Sequence, residues 1–387
     1  VENDMPTDFS RNLLLTPGPI TTAKATKEAM LVDLSPNAEE VVGMTATARR
    51  YLLEIANGTG THECVPLQGS ATYACEALFH ACIAPGAKVL VVVNGFYGLR
   101  LGEILEAIGR RVVKLEKKLL PLPTGAEVGA ALDADPEITH VAICHVETGT
   151  GVLNKIDEIA AAARARGKQM FVDTVASFGA FALDVAALDI EAVAISPNKC
   201  MEGLPGIGFA IIRKDSLLAA EGKSPSISLD LYKQWSFMES TKGQWRFTPP
   251  THVLAAFAHA LERHRDEGGR EARLEKYRRN WKRLVDAMRQ NGFRTMLPDD
   301  VSAPIVTTWL DPADPAYNFP AFYEAMRRRG FTIFPGRLTA SGTFRIGCMG
   351  DISPEDMAAV ARAVADSMDE LGVKNRGPAA DRDVAAR

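Results

Sequence analysis

No apolar stretch in this 387-residue chain approaches the roughly 18 to 20 residues that a membrane-spanning helix requires. The opening VENDMPTDFSRN has neither the basic start nor the apolar centre of a signal peptide, so neither membrane insertion nor secretion is expected. Cysteine is scarce and scattered: Cys64, Cys75, Cys82, Cys144, Cys200 and Cys348 form no C-x-x-C pair and no cluster with histidine. That argues against a zinc site and a disulfide framework, and it suits a reducing cytoplasm. Neither sign of charge dominates, since 44 Lys plus Arg face 48 Asp plus Glu for a net charge of −4. Without a basic field there is little to hold nucleic acid or an anionic membrane, and the expected partner is a small molecule. Also absent are the G-x-x-x-x-G-K-[ST] loop of nucleotide hydrolases and the G-x-G-x-x-G of dinucleotide folds.

What the chain does have is ample core: 47% of residues are hydrophobic and 24% charged, an ordinary globular balance. At this length two domains, or one large domain with an appendage, are expected. Short, mostly β-branched apolar runs recur at 88–93, 111–115, 139–144, 169–173, 191–196 and 207–212, separated by stretches of helical spacing such as 156–167. Runs that are apolar without alternation read as strands buried on both faces, and repeated β-α units imply a largely parallel sheet wrapped by helices. Only ten residues join the last two runs, so one of them is expected to be antiparallel. After residue 250 the pattern becomes long helices, then a unit of strand-like and helical pieces, with a domain boundary near residue 275. Residues 374–387 are polar and read as a loose tail.

In an open parallel sheet, ligands bind beyond the carboxyl ends of the strands. The residues following the runs are polar there: NGFYG (94–98), HVETGTG (145–151), DTVASFG (173–179) and SPNKCMEG (196–203). Gly69, Ser70, Ala71 and Thr72 precede an amphipathic helix and offer free N–H groups and hydroxyls to a single compact phosphate, although Ser70 alone reads equally well as a helix cap. Asp173 ends its run where a carboxylate needs a cation, such as a protonated ring nitrogen. Tyr97 offers an aromatic face, and Lys199 an amine whose pKa burial would depress. Phosphate socket, aromatic face, ring carboxylate and amine together describe a pyridoxal phosphate site.

The stretches LLLTPGPITT, QGSATYA, NGFYG, NKCMEGLPG, SISLDLYKQW, WRFTPPTH and FRIG carry a resemblance to the class V aminotransferases among the fold-type I pyridoxal-phosphate enzymes, covering nearly the whole folded chain. The resemblance implies a large domain with a mostly parallel seven-stranded sheet between helices and a smaller C-terminal α+β domain. Its implied limits are an N-terminal segment at 1–20 packing near the active site, a cofactor domain at 21–275, a small domain at 276–372 and a disordered tail at 373–387. It implies that Lys199 bonds the cofactor and then shuttles the proton, and that Ser70, Ala71, Thr72 and Asn198 hold the phosphate. Tyr97 would stack on the ring, with Val175 on the opposite face, Thr148 near the ring oxygen and Asp173 on the ring nitrogen. Thr248 would reach the phosphate of a neighbouring subunit, making a homodimer. Arg345 would grip the acidic group of the substrate, with Thr16, Pro17 and Gly18 closing over it. The implied substrates are 2-aminoethylphosphonate and pyruvate. An alanine or serine glyoxylate activity is the alternative, because the 33–40 segment also suits it, and a lyase using Cys348 is the more distant one.

Overall fold

The computed structural model describes residues 12–334 and 342–379. Its strands, in chain order, are β1 (Leu13–Leu15), β2 (His62–Gly69), β3 (Lys88–Val93), β4 (Arg111–Glu116), β5 (Ile138–Cys144), β6 (Val146–Glu147), β7 (Val152–Leu153), β8 (Gln169–Asp173), β9 (Ala192–Ile195), β10 (Gly206–Arg213), β11 (Val306–Leu310), β12 (Phe331–Ile333) and β13 (Thr343–Gly347). Seven of them form the central sheet in the order β2-β10-β9-β8-β5-β3-β4. It is parallel except for β10, which is antiparallel to both β2 and β9 and so is the expected exception.

The unalternating apolar runs have a direct structural cause. Along β3, Val89, Val91 and Val93 pack on one face of the sheet against helices Ala71–Cys82 and Phe96–Ala107. Leu90 and Val92 point to the opposite face, toward helices Glu39–Ile55, Gly125–Ala134 and Ile156–Arg164. Both faces are covered, so both must be apolar. The surface beneath helix Ala71–Cys82 is built of small residues, Ala192, Ala194 and Ala210 among them. At Gly208 an added Cβ would lie 2.8 Å from the Ser70 carbonyl oxygen, so that glycine lets the helix start come down onto the sheet.

One strand of the central sheet went unread in the sequence. In β2, HECVPLQG, polar residues and a proline interrupt the apolar pattern. The strand lies at the sheet edge and pairs only with β10, which is where a proline, lacking an N–H, is tolerated.

A second core forms around the antiparallel pair β11 and β13, with helices Phe319–Arg328 and Pro354–Glu370. Leu15 joins this core, since β1 pairs in parallel with β12. The sequence-read boundary at 275 falls inside an unbroken helix, Gly269–Gln290, whose Leu284, Val285 and Met288 enter the second core while its earlier residues face the first domain. Contrary to the expectation of a loose tail from 373, Val373 is buried. The N–H groups of Lys374 and Asn375 donate to Asp314, and Arg376 bonds Asn291. The rest of that expectation, 380–387, lies outside the described residues, as do residues 1–11 of the expected N-terminal segment. Among the described residues no helix is long and apolar enough to cross a membrane.

Helix Gly269–Gln290 is braced against the loop after β9 by a buried polar network. Arg273, with no exposed surface, donates to the Cys200 carbonyl at 2.6 Å and to Glu267 at 2.7 Å. Tyr277 donates to Glu202 at 2.8 Å, and Lys276 pairs with the same carboxylate at 3.0 Å. Removing one member of such a network leaves the others desolvated without compensation. Arg273→Ala is therefore expected to lower stability by about 3–5 kcal/mol. Urea unfolding checks it, and a loss below about 1 kcal/mol would assign the network no such role.

Candidate active site

The strands β2, β3, β5, β8 and β9 all end at one edge of the sheet, and there β10, running the other way, begins. A cavity of about 260 Å³ opens at these ends. Ser70, Ala71 and Thr72 line it from the turn after β2, Tyr97 from the turn after β3 and Thr148 from the segment after β5. Asp173 and Val175 reach it from the end of β8, Asn198 and Lys199 from the loop after β9, and Gly18 from the N-terminal segment.

Lys199 is set in a loop with little freedom. Its carbonyl accepts from the Glu202 N–H at 2.9 Å, the Gly203 N–H donates to the Pro197 carbonyl at 2.8 Å, and Glu202 takes a left-handed φ of 54°. Its Nζ donates to the Gly18 carbonyl oxygen at 3.1 Å. Gly18 itself has φ of 121°, and a Cβ there would sit 2.1 Å from that Nζ, so only glycine fits. Burial lowers the Lys199 pKa to about 8, partly opposed by the nearby Asp173. For Asp173, burial pushes the pKa up to about 6, against the Val175 N–H that donates to its carboxylate at 2.8 Å and the charge of Lys199. Each group thus has its charged form disfavoured by the site and partly restored by the other.

Helix Ala71–Cys82 starts at Ser70 with no side chain capping it, which leaves the N–H groups of Ala71 and Thr72, both lining the cavity, available to a ligand, while the Tyr73 N–H donates to the Ser70 carbonyl. The Ser196 hydroxyl donates to the Asn198 side-chain oxygen, holding that amide beside the lysine. Arg100, Cys75 and Ser196 also line the cavity and were not foreseen. Arg100 had a signal: it follows Tyr97 by three positions on one helix, the spacing that shares a face, and its guanidinium lies 4.9 Å from the centre of the Tyr97 ring.

Other expected residues stand apart. Arg345, on β13, is buried, donates from Nη1 to the Thr148 carbonyl at 2.8 Å and lies 4.3 Å from the Phe334 ring centre, so it backs the cavity wall instead of lining it. Of Thr16, Pro17 and Gly18, only Gly18 lines the cavity, and the Thr16 hydroxyl is turned inward to the Pro19 carbonyl. Thr248 lines a different hollow, with Gln68, Gly69, Tyr73 and Phe247. The 33–40 segment does not line the cavity either, and its Glu39 and Glu40 form the first turn of helix Glu39–Ile55, where their charge suits the helix dipole. Cys348 is fully buried and burial pushes its thiol up to about 12, so the lyase reading, which needs a mobile thiolate, loses its nucleophile.

Residues 31–317 match the family described as Aminotransferase class-V. The chain is 47% identical over 368 residues to the 2-aminoethylphosphonate--pyruvate transaminase of Rhizobium meliloti (strain 1021), covering 95% of this chain and 96% of that protein. It is 44% identical over 361 residues to the protein of the same name from Pseudomonas putida (strain W619), covering 93% and 98%. Among solved structures it is similar to an aspartate aminotransferase of subgroup IV from Thermus thermophilus, with a TM-score of 0.81 at 26% identity over 93% of this chain and 100% of that one. It shares the fold of pyridoxamine-pyruvate aminotransferase from Mesorhizobium loti, with a TM-score of 0.83 at 23% identity over 94% and 93%.

The depressed pKa has a direct chemical test. In the cofactor-free protein an amine-selective acylating reagent should label Lys199 at a rate that rises through pH 8, whereas solvated lysines stay protonated to about pH 10.4. Because Asp173 raises the pKa of Lys199, Asp173→Asn should move the midpoint to lower pH. Peptide mass spectrometry reads both, and a Lys199 midpoint above 10 would contradict the burial argument.

Proposed function

The chain belongs to the class-V aminotransferases, and from that premise we propose that it moves the amino group of 2-aminoethylphosphonate to pyruvate, giving phosphonoacetaldehyde and L-alanine. The observation that carries the chemistry is the meeting of Lys199, Asp173, Tyr97 and an uncapped helix start in one cavity. The phosphonate donor comes from curated relatives that share nearly half of all residues along almost the whole chain. The alanine or serine glyoxylate alternative has no comparable support.

The cofactor is pyridoxal 5'-phosphate, and the residues suit it. Among the described residues the Asp173 carboxylate has no ion-pair partner, which a protonated ring nitrogen would supply. Ser70, Ala71, Thr72 and Asn198 would hold the phosphate, Tyr97 and Val175 would bracket the ring, and Thr148 would face its hydroxyl. When bound, pyridoxal phosphate supplies an aldehyde that takes up amines and a conjugated ring that spreads negative charge from the substrate carbon. Lys199, rooted in a braced loop, is the amine that would bond the cofactor and would carry the proton to and from the amine-bearing carbon of the substrate. Its lowered pKa leaves more of the amine unprotonated near neutral pH, the form that can attack a carbonyl or accept a proton. Asp173, as a carboxylate, would hold the ring nitrogen in its protonated form. Arg345, held behind the cavity wall by the Thr148 carbonyl, would have to turn toward the cavity to meet the acidic group; there its paired N–H donors would fit a phosphonate and a carboxylate alike.

Thr248 lies outside the cavity of its own chain, which supports its contribution to the phosphate site of a second copy in a homodimer. We set the domain limits at 21–275 and 276–372, joined by helix Gly269–Gln290. The free cysteines of the described chain suit the cytoplasm.

Adding 2-aminoethylphosphonate to the yellow, cofactor-loaded protein should bleach it, and pyruvate should restore the colour. A spectrum unmoved by that amine but bleached by serine would overturn the donor assignment. Lys199→Ala should abolish turnover, and Arg345→Lys, which loses the paired geometry, should lower kcat/KM for the donor roughly 10²- to 10³-fold, measured by steady-state kinetics.

A further inference from the structure

The motif glycines around Tyr97 face a side chain that the chemistry above does not use. Glu147, on β6, has no exposed surface. Its two carboxylate oxygens divide the start of helix Phe96–Ala107 between them, Oε2 accepting from the Tyr97 N–H at 3.0 Å and Oε1 from the Gly98 N–H at 2.6 Å. That helix has glycine, Gly95, at its cap position and no side-chain cap of its own. A serine or aspartate at 95 would cap it locally. Instead the cap comes from a residue fifty positions away, and the carboxylate is kept in a place where burial drives its pKa up to about 7.

Gly95 completes the arrangement. Its φ of −178° is extended backbone open to any residue, so conformation does not require glycine. Space does: a Cβ would lie 2.5 Å from Glu147 Oε2 and 2.6 Å from its Cδ. The segment that carries Glu147 is gripped from the other side as well. The Thr148 carbonyl accepts from Arg345, the Thr150 carbonyl from the Thr308 hydroxyl at 2.8 Å, and the Gly151 carbonyl from the Ala303 N–H at 2.8 Å.

We propose that Glu147 is a positioning residue: its carboxylate fixes Tyr97 on the cavity wall and, through the peptide to Thr148, locks that aromatic face in register with Arg345 and the C-terminal core. Tyr97 and Arg345 come from different cores, and one buried carboxylate sets the spacing between the aromatic wall and the arginine behind it. The inference rests on the aminotransferase reading for its purpose, though not for its geometry.

The test uses Glu147→Gln, Glu147→Ala, Gly95→Ala and the double variant. In the cofactor-free protein, hydrogen exchange at whichever of the Tyr97 and Gly98 amides comes to face the glutamine NH2 should speed up about tenfold or more in Glu147→Gln, the size expected for losing a bond to a charged acceptor. Pyridoxal phosphate affinity should fall by a similar factor in Glu147→Gln and in Gly95→Ala, with a changed visible circular dichroism of the bound cofactor. Adding Gly95→Ala to Glu147→Ala should cost nothing more, because the group it collides with is gone. Unchanged exchange and dichroism in Glu147→Gln, or a Gly95→Ala penalty of equal size with and without Glu147, overturns the proposal. If Glu147→Ala does not fold, Glu147→Gln and Gly95→Ala decide it by exchange and dichroism. Wild-type protein that binds no cofactor would sink the aminotransferase reading instead, and the exchange experiment would still judge the anchor.

Discussion

An amine and a carboxylate are buried together at the carboxyl ends of one sheet, and neither is well solvated. Moving a single charge of this kind out of water costs several kcal/mol, so Lys199 and Asp173 persist only because the surroundings hold them in place and each partly offsets the other. That constraint explains much of what lies around them. Gly18 is bare so that the N-terminal segment can cover the amine with a carbonyl. Glu202 accepts a left-handed backbone so that the lysine loop can turn beneath the cavity. Arg273 and Tyr277 are buried to hold the Cys200 carbonyl beside it.

The same brace ties the two cores together. Helix Gly269–Gln290 grips the lysine loop near one end, and further along its Asn280 amide donates to the carbonyls of Cys348 and Ile352 just beyond the strand of Arg345. The segment after β5 makes a second link, with Glu147 holding the Tyr97 helix and Thr148 holding Arg345. Lysine, aromatic wall and arginine are therefore registered by two rigid connections rather than by loops, which is the precision that a site alternating between two substrates needs.

Much of this was legible in the sequence because each signal had a local physical cause. Unalternating β-branched runs such as KVLVVV could only be strands covered on both faces, and the polar residues after them had to gather at the carboxyl ends. The ten-residue link between the last two runs was too short for a parallel crossover, which made β10 antiparallel. What stayed hidden had no local signature. The strand HECVPLQG owes its place to pairing at the edge with β10, not to its own pattern. Thr148 was visible as a hydroxyl, but that its carbonyl holds Arg345 depends on residues 197 positions apart.

By itself the amino-acid sequence determined the layered α/β architecture, the chemistry-bearing types at Ser70–Thr72, Tyr97, Asp173 and Lys199, and the side of the sheet on which they stand, since periodicity and strand order decide these. Only the tertiary structure decided which of them share a cavity. It put Thr248 in another hollow, Arg345 behind the wall, and a buried glutamate under two glycines that in the sequence were simply a turn. Burial, hydrogen-bond partners and steric contact are properties of chain segments brought together from far apart, and no local pattern encodes them.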